Sequence, residues 1–320
     1  NTQSPFDRSP VNGFRCAKYS GEEKEILEQL KRPYALPDKG EEAKIEQVSD
    51  DIFNIYKSQY RYDKSPLNAR VEATDESPEY WKVETISYNS AKDDERILTY
   101  LFIPKNVKPP YQAVVYFPGA GVFGHPTSAS IQIKIVDFII MSGRAVAYPV
   151  YKGTHERSVG FNYPTAGTQR YVEYEIQLVH EVQRTLDYLE TRDDINSDKI
   201  AFWGFSWGAR LGPIILAVED RIQLGLFLSG GLHIRKIQPV INEALFVPRV
   251  KVPVLMINGK YDYDFQLGTG QKFLFDLLGT RAEEKEHFVL DSGHNVFATH
   301  REQATKKVLE WLDRYLGRVF

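Results

Sequence analysis

The stretch KIAFWGFSWGARLGPIILAV, residues 199–218, combines a short apolar strand, a tight turn and an apolar helix. Its first part, residues 199–203, has the composition of a buried strand, and the part after the turn fits a buried helix. Gly204 and Gly208 stand on either side of Ser206, as is required where a turn leaves no room for larger side chains. The sequence therefore predicts a strand–turn–helix unit that exposes the hydroxyl of Ser206.

Strands and helices alternate along most of the remaining chain. Further strands are predicted at residues 81–88, 97–103, 113–117, 145–149, 224–228, 254–258 and 287–290. Helices are predicted at residues 130–142, 173–191, 265–278 and 301–316. The first two strands, at 81–88 and 97–103, are predicted to form a hairpin. The alternation of strands and helices after them is typical of a parallel sheet covered on both faces. The predicted fold class is α/β, with a mostly parallel, doubly wound sheet, helices on both faces and an N-terminal helical extension.

The N-terminal part of the chain has a different composition. Residues 1–20 are irregular and rich in Pro and Ser, and residues 21–78 are predicted to form a helical extension that ends in a linker. Helices are predicted at 22–30 and at 41–60, the second because its apolar residues recur at helical spacing. The linker is predicted around residues 64–78, where Asp, Ser, Pro and Asn predominate.

Residues 79–320 are predicted to form the α/β domain itself. Two insertions, near 151–170 and 232–250, interrupt its alternation of strands and helices. In a doubly wound sheet, such insertions often wall the ligand crevice beyond the carboxyl ends of the strands. Ordinary surface loops are the alternative for each insertion.

Composition and charge exclude several classes of protein. The 320 residues include 40 basic and 43 acidic residues, a net charge of −3, so no basic surface for nucleic acid is expected. The one cysteine, Cys16, rules out a disulfide framework and a cysteine-based zinc site. No apolar run approaches the roughly 18 residues of a membrane span, and no signal peptide is evident. A cytoplasmic protein is therefore expected. Because the sequence does not begin with methionine, a fragment or a processed product of a longer chain is also expected.

Ser206 needs a base, since a serine hydroxyl is a weak nucleophile by itself. His294 follows a predicted strand and precedes the last helix, where its ring is placed to reach the serine turn. Asp262 follows another strand and is the preferred acid to orient the imidazole, with Asp264 as the main rival and Asp291 as a loop-capping alternative. The predicted catalytic residues are therefore Ser206, Asp262 and His294, an order that is known among serine hydrolases.

The loop after the strand at 113–117 is a second candidate group, and it reads Pro-Gly-Ala-Gly. Small residues let the backbone approach a reacting carbonyl, and a free amide there can stabilise a developing negative charge. The amide of Ala120 is the preferred donor, with Gly121 as the alternative. The amide of Trp207, at the start of the helix after Ser206, is the predicted partner donor for this oxyanion hole.

The substrate pocket is predicted from residues near strand ends and in the first insertion. The stretch at 148–157 follows a strand, and its aromatic rings and those just beyond suggest a pocket for an apolar or ring-bearing group. An ion-paired loop is the alternative interpretation of that stretch. The predicted pocket residues are Gly121, Tyr148, Tyr151, His155, Phe161 and Tyr163.

Signatures of metal and nucleotide chemistry are missing from the sequence. It contains no His-Glu-x-x-His and no Cys/His cluster of the kind that binds zinc. It also contains no Gly-x-x-x-x-Gly-Lys-Ser/Thr loop for phosphates and no Gly-x-Gly-x-x-Gly turn for dinucleotides. No cofactor and no metal ion are therefore expected.

Residues from about 80 to 320 resemble an α/β-hydrolase of the prolyl-oligopeptidase/dienelactone-hydrolase-like branch. The similarity rests on DINSDKI at 194–200, three residues before GFSWG at 204–208, on GKYD at 259–262 and on SGH at 292–294. Where relatives often have His-Gly, this chain has Pro118-Gly119, a change that leaves the backbone donors in place. The resemblance implies an α/β-hydrolase fold and a Ser-His-Asp hydrolase that needs no cofactor.

Two further resemblances concern a longer protein. Residues 148–157 are similar to a stretch in hydrolase domains of large bacterial multidomain proteins. Residues 12–17, NGFRCA, resemble the closing strand of a formylglycine-generating-enzyme-type domain. Together they imply upstream domains covalently linked to this chain, with Cys16 as a structural remnant.

The expected function is the hydrolysis of small-molecule carboxylic esters by a serine hydrolase through an acyl-enzyme. Esters are preferred to peptides because the domain lacks an obvious propeller or other large module to select peptides. An aminopeptidase-like enzyme with the same catalytic residues is one alternative. The other is a catalytically silent interaction domain of a multidomain protein, since a fold does not guarantee an activity.

Overall fold

The computed structural model describes residues 46–92, 95–131, 133–233 and 237–320. Within these residues, one sheet contains the strands β1 (Arg70–Asp75), β2 (Trp81–Asn89), β3 (Arg96–Pro104), β4 (Tyr111–Phe117), β5 (Ala145–Pro149), β6 (Ile195–Phe205), β7 (Ile222–Leu228), β8 (Val254–Gly259) and β9 (Lys285–Leu290). The α-helices are α1 (Asp50–Ser58), α2 (Asp137–Met141), α3 (Gln169–Glu190), α4 (Trp207–Val218), α5 (Glu243–Phe246), α6 (Lys272–Leu277), α7 (Val296–Thr299) and α8 (Arg301–Tyr315).

The sheet is antiparallel at one edge and parallel through the rest. Its strand order is β1-β2-β3-β5-β4-β6-β7-β8-β9. The strands β1, β2 and β3 pair antiparallel, as does β3 with β5. All the pairs from β5 to β9 are parallel. The predicted hairpin and the mostly parallel sheet are therefore confirmed.

Hydrophobic residues cover both faces of the central strands. On β6, Ile200 and Phe202 pack in the cluster that includes α3 and α4, whereas Ala201 and Trp203 pack on the opposite face with α8. All four side chains are almost completely buried, since a strand covered on both faces has no polar side. The carboxyl ends of the parallel strands form one rim, where the loops that follow them meet.

The helix α1 is shorter than predicted. It begins at Asp50, and residues 46–49 ahead of it are not helical. The side chain of Ser49 accepts a hydrogen bond from the amide of Ile52 at 3.4 Å, which caps the helix and sets its start. The remaining N-terminal predictions, at 1–20, 12–17, 22–30 and 41–45, lie outside the described residues.

The N-terminal extension packs on the second insertion. Phe53 of α1 is buried, and its ring centroid lies 5.4 Å from that of Phe246 in α5. The hydroxyl of Tyr60 donates to the carbonyl of Val240 at 2.7 Å. Through these contacts Phe53 and Tyr60 anchor residues 50–60 to the domain.

The linker predicted at 64–78 is wrong in its middle, where Arg70–Asp75 forms β1 at the edge of the sheet. Every side chain of this strand is exposed. The strand therefore lacks the alternating apolar face by which a strand is recognised in a sequence. Its charged residues suit an edge, because they discourage pairing with another chain.

Two predicted helices are interrupted in the structure. The region 130–142 contains short 3-10 turns before α2, consistent with its β-branched isoleucines, which are poor helix formers. The region 265–278 begins with a π turn at Leu267–Gln271, which contains two glycines, before α6 continues as a regular helix.

The helix α3 begins at Gln169, earlier than the predicted residue 173. The side chain of Thr168 caps it by accepting a hydrogen bond from the amide of Tyr171 at 3.2 Å. Polar and charged residues occur along its length, and several are buried against the rest of the domain. None of the helices in the described parts of the chain combines the length and the apolarity that crossing a membrane requires.

Candidate active site

Ser206 lies at the sharp turn between β6 and α4. Its backbone has φ 52° and ψ −102°, and a positive φ at a residue other than glycine marks a strained turn. Its amide donates to the carbonyl of Leu228 at 2.8 Å, which anchors the turn to the end of β7. The strand–turn–helix unit predicted around Ser206 is therefore present.

Both glycines of this turn lie against neighbouring backbone. A Cβ at Gly208 would lie 2.3 Å from the carbonyl oxygen of Phe117, at the end of β4. A Cβ at Gly204 would lie 2.6 Å from the backbone of Gly208. Because backbone atoms cannot rotate away as a flexible side chain can, larger residues at these positions would force β4, β6 and α4 apart.

Gly208→Ala is expected to lower the free energy of unfolding by about 3 kcal/mol, because overpacking against the backbone carbonyl of Phe117 shifts both elements. Urea denaturation followed by circular dichroism measures this change. Gly121→Ala is the matched control, since a Cβ at Gly121 would meet no atom within 4 Å. Its free energy of unfolding should stay within about 0.5 kcal/mol of the unmodified protein. Equal stability of the two variants would show that the turn is not tightly packed.

The three predicted catalytic side chains meet at the rim of the sheet. Ser206 Oγ lies 2.8 Å from His294 Nε2, and His294 Nδ1 lies 2.8 Å from Asp262 Oδ2. Their loops follow β6, β8 and β9, whose carboxyl ends point the same way. Both distances are those of hydrogen bonds. When Nδ1–H donates to Asp262, Nε2 is left to accept the proton of the serine hydroxyl.

Geometry distinguishes among the three candidate acids. The side chain of Asp262 is fully buried, whereas that of Asp264 is 45% exposed and lies 3.8 Å from His294 Nδ1. The second carboxylate oxygen of Asp262 accepts hydrogen bonds from the amides of Asp264 at 2.9 Å and Phe265 at 3.1 Å. Asp291 is exposed. Asp262 is therefore the acid that holds the imidazole in this structure.

The pKa of His294 lies above its ordinary value of 6.5. Burial of the ring lowers this pKa, but the hydrogen bond to Asp262 and the charges of Asp262 and Asp264 together raise it by more. A protonated imidazole cannot take the proton of Ser206. Any reaction that uses His294 as its base is therefore lost as the pH falls below this raised pKa.

The kcat/KM for a neutral ester is expected to rise with pH through a pKa above 6.5, the value from which the pKa of His294 is raised. Asp264→Asn removes one of the charges that raise this pKa, so the acidic limb should move to lower pH. A pH–rate profile of each protein measures the shift. Asp198→Asn, at an exposed position elsewhere, is the control and should leave the limb in place. If the acidic limb of the profile stays at the same pH or moves to higher pH in Asp264→Asn, this electrostatic coupling is excluded.

The two predicted oxyanion donors lie beside Ser206. Trp207 begins α4 and Ala120 begins a 3-10 turn, and the first amides of a helix have no acceptor within it. Both residues line the same cleft as Ser206. Gly119 allows this approach, because a Cβ there would lie 2.8 Å from the ring of Phe205 and 3.2 Å from the serine Cβ.

A cleft of about 340 Å³ opens at Ser206. Its walls are mainly aromatic. The ring of Phe123 lies 4.7 Å from that of Trp207 and 4.8 Å from that of Tyr163, so the three rings form a continuous surface. The cleft is lined by Ala120, Phe123, Tyr163, Tyr171, Tyr174, Glu175, Ser206, Trp207, Arg210, His233, Asp264 and Phe265.

Among the predicted pocket residues, Tyr163 lines this cleft. Phe161 lies behind it, with 5.2 Å between the two ring centroids, and lines a neighbouring cavity. Gly121, Tyr148 and His155 line a separate small cavity of about 60 Å³ beside the loop after β4. Of these five residues, the structure therefore places Tyr163 alone in the cleft of Ser206.

Tyr151, the sixth predicted pocket residue, requires a correction because it belongs to the core. It is fully buried, and its ring stacks on that of Phe117 with 3.8 Å between centroids. Its hydroxyl donates to the carbonyl of Tyr116 at 3.1 Å. A tyrosine shortly after a buried strand continues the packing of that strand, with its one polar atom satisfied by the backbone.

Sequence reasoning missed most of the cleft. Arg210 lies one helical turn after Ser206, and this spacing of four places both on one face of α4, a signal that was available. Its buried guanidinium binds Glu175 at 2.8 and 2.9 Å and also pairs with Glu243. The aromatic residues from the start of α3 gave no such signal, because their position depends on how that helix packs.

The first insertion holds the loop after β4 in place. The carboxylate of Glu156 accepts hydrogen bonds from the amide of Ser128 at 2.7 Å, from its hydroxyl at 2.8 Å and from the hydroxyl of Thr127 at 3.1 Å. The next residue, Arg157, binds the buried Glu181 at 2.7 Å. For these two residues, the alternative interpretation of an ion-paired loop therefore fits better than a wall of the cleft at Ser206.

Asp262, Asp264 and His294 are also the side chains that a metal ion would use here. One ligand atom from each lies within 4.8 Å of the others. The hydrogen bond between His294 and Asp262 occupies two of those atoms. A metal ion at this position would therefore compete with the hydrogen-bonded arrangement of the three candidate catalytic residues.

A mostly parallel sheet with a serine at the sharp strand–helix turn, and with Asp and His after later strands, defines the α/β-hydrolase fold. The fold class that the sequence resemblance implied is therefore confirmed.

Solved structures with this fold are similar over most of the chain. An acetyl xylan esterase from Paenibacillus sp. R4 superposes with a TM-score of 0.62 at 19% identity, covering 84% of this chain and 95% of its own. Acetyl xylan esterase 1 from Thermoanaerobacterium sp. JW/SL YS485 gives a TM-score of 0.64 at 14% identity, covering 83% and 95%. A glucuronoyl esterase from Solibacter usitatus gives 0.58 at 13% identity, covering 82% and 90%.

The sequence alone matches no protein-family model, and no curated protein matches it. At identities of 13–19%, the structural likeness establishes the fold. The function has to be argued from the site itself.

Proposed function

We propose that this protein is a serine hydrolase that cleaves carboxylic esters through an acyl-enzyme intermediate. The observation that carries the proposal is the hydrogen-bonded series of Ser206, His294 and Asp262 at the bottom of an aromatic cleft. A hydroxyl 2.8 Å from an imidazole that is itself held by a buried acid is the arrangement that activates serine for attack on a carbonyl.

In the acylation step, Ser206 Oγ attacks the ester carbonyl carbon while His294 Nε2 takes the hydroxyl proton. Asp262 keeps the imidazole in the required tautomer and stabilises its positive charge. The tetrahedral intermediate collapses as the C–O bond to the alcohol breaks, and the imidazolium returns its proton to the departing alcohol oxygen. The acyl group then remains on Ser206.

In the deacylation step, water takes the place of the alcohol. His294 removes a proton from the water, whose oxygen attacks the acyl carbon. Collapse of the second tetrahedral intermediate breaks the bond to Ser206 Oγ, which regains its proton from the imidazolium. The products are the free acid and the restored hydroxyl.

The amides of Ala120 and Trp207 are the proposed oxyanion hole for both intermediates. Their position at the starts of two helical turns in the serine cleft supports this role. Donors fixed in advance at the place where negative charge develops lower the barrier without reorganising in the reaction. Glu156 contributes indirectly, because its three hydrogen bonds hold the loop that follows Ala120.

Two observations favour esters as the substrates. The cleft presents the rings of Phe123, Tyr163 and Trp207, which suit an apolar or ring-bearing group next to the carbonyl. The three solved structures with this fold are named as esterases. Ester bonds also demand less of the catalyst than amides, since an alcohol leaves more readily than an amine.

A substrate panel tests the proposal. The kcat/KM for p-nitrophenyl esters of increasing acyl length should exceed that for aminoacyl p-nitroanilides. A preference for the anilides would instead favour an aminopeptidase-like enzyme. Turnover of neither class, together with no labelling of the serine by a fluorophosphonate, would leave a silent interaction domain as the better description.

A further inference from the structure

A second cavity, of about 350 Å³, shares Tyr174 with the cleft of Ser206. We refer to it as the Lys152 cavity. Its basic lining residues are Lys92, Lys152, Arg157 and Arg170. Among the described lining residues, Glu173 is the acidic one. The charged residues of the lining are therefore mostly basic, unlike those of the aromatic cleft beside it.

Two of the four basic side chains are neutralised by ion pairs with acidic residues. Arg157 binds Glu181 at 2.7 Å and Glu95 at 3.1 Å, and Lys152 forms an ion pair with the same Glu95. Glu181 is fully buried behind this wall. Two positive and two negative charges therefore balance one another here, which leaves the net charge to the other lining residues.

Lys92 and Arg170 supply a surplus of positive charge. Both side chains are exposed, and neither forms an ion pair with a residue in the described part of the chain. Glu173, which is also exposed, offsets one of them. A cleft with excess positive charge raises the local concentration of anions.

The same cavity includes a hydrogen-bond donor that lacks an acceptor. Gln177 lines the cavity and is 8% exposed, and its Nε2 is buried with no partner among the described residues. A buried donor without an acceptor is unfavourable, so a rotation of the Gln177 side chain that brings this amide to an acceptor oxygen in the cavity would be favoured. Guanidinium, ammonium and amide N–H groups together suit a ligand made of acceptor oxygens.

Tyr174 connects this cavity to the candidate catalytic cleft. Its hydroxyl donates to the carbonyl of Lys152 at 3.1 Å and lies 2.9 Å from the hydroxyl of Tyr163. The ring of Phe161 packs against it with 5.3 Å between centroids. Since Tyr174 lines both spaces, a ligand that extends past its ring would occupy both.

We propose that the Lys152 cavity binds an anionic oxygen group, a carboxylate or a phosphate. Such a group has two sources. It is carried by an ester substrate whose ester bond lies at Ser206, an assignment that rests on the function proposed above, or it is a free anion. Either way, Lys92 and Arg170 supply the attraction and the donor groups of the inner wall supply hydrogen bonds.

The first experiment addresses a substrate-borne acid group. The kcat/KM for 4-nitrophenyl hydrogen adipate is compared with that for 4-nitrophenyl hexanoate, which has the same chain length but no terminal carboxylate. In the double variant Lys92→Gln and Arg170→Gln, the adipate-to-hexanoate ratio should fall about tenfold, the product of two partly exposed ion pairs worth a few-fold each. Lys108→Gln with Arg318→Gln removes two exposed charges elsewhere and should leave the ratio unchanged.

The second experiment addresses a free anion and needs no catalysis. Inorganic phosphate is titrated into the unmodified protein and into both double variants by isothermal calorimetry at low ionic strength. Saturable binding that weakens in added NaCl and is lost in the Lys92→Gln and Arg170→Gln variant, but not in the control, identifies a free-anion site.

A lower adipate-to-hexanoate ratio in the double variant supports an anion site for a substrate's acid group. Loss of phosphate binding in that variant supports a site for a free anion. The inference is overturned if the adipate-to-hexanoate ratio does not fall and phosphate does not bind. It is also overturned if the control variant changes either measurement equally. If no ester is hydrolysed at all, the proposed function fails. The phosphate titration alone then tests whether the cavity binds an anion. Hydrolysis of both esters with no response in either experiment would overturn the anion site and leave the proposed function standing.

Discussion

Ser206→Ala is expected to lower kcat for p-nitrophenyl acetate by about 10⁶-fold, the size of loss measured when a triad nucleophile is removed. The reason is that His294, 2.8 Å from the hydroxyl, then has no nucleophile to activate, and no acyl-enzyme forms. Initial rates measure the loss. Mass spectrometry after exposure to a fluorophosphonate should show one adduct on the unmodified protein and none on the variant.

Ser229→Ala is the matched control for this substitution. Ser229 also follows a strand of the sheet, has a positive φ of 51° and is fully buried. Its hydroxyl has no hydrogen-bond partner among the described residues, so its removal should leave turnover within a few-fold. Comparable rates for Ser206→Ala and the unmodified protein would exclude Ser206 as the nucleophile.

Asp262→Asn is expected to lower kcat by about 10⁴-fold, as removal of the orienting carboxylate does in a well-studied serine protease. An asparagine amide at this position would donate to His294 Nδ1 and place the ring proton on Nε2. That nitrogen could then no longer accept the proton of Ser206. Single-turnover kinetics with p-nitrophenyl acetate measures the effect on acylation directly.

The control for this variant is Asp264→Asn, which removes the second carboxylate near the ring. Asp264 lies 3.8 Å from His294 Nδ1 and is 45% exposed, so at high pH its loss should cost less than about tenfold, the scale of an exposed charge pair. Equal losses in the two variants would assign the acid's role to the pair rather than to Asp262.

The turn around Ser206 could be predicted because local constraints determine it. Gly204 and Gly208 are needed because the backbone a few residues away and in the adjacent strand leaves no room for a Cβ. His294 and Asp262 could be predicted for a related reason, since each follows a strand whose carboxyl end belongs to the same rim of a parallel sheet. Neither inference required knowledge of how the helices pack.

The cleft walls could not be predicted in the same way. Tyr151 and Tyr163 are both aromatic residues of the first insertion, yet one is buried on Phe117 and the other lines the cleft. This difference depends on the path of the loop and on its contacts with α3, which leave no periodic pattern in the sequence. Likewise, β1 was missed because an edge strand without a buried face carries no alternation of apolar residues.

The contact of Glu156 with Thr127 and Ser128 has a consequence for protein engineering. The same insertion contributes Tyr163 to the cleft, so grafting a foreign loop there to change selectivity would also remove the support of the segment after Ala120. Selectivity and turnover would then change together in such chimaeras. A library restricted to Phe123 and Tyr163, with residues 155–158 retained, would separate the two properties.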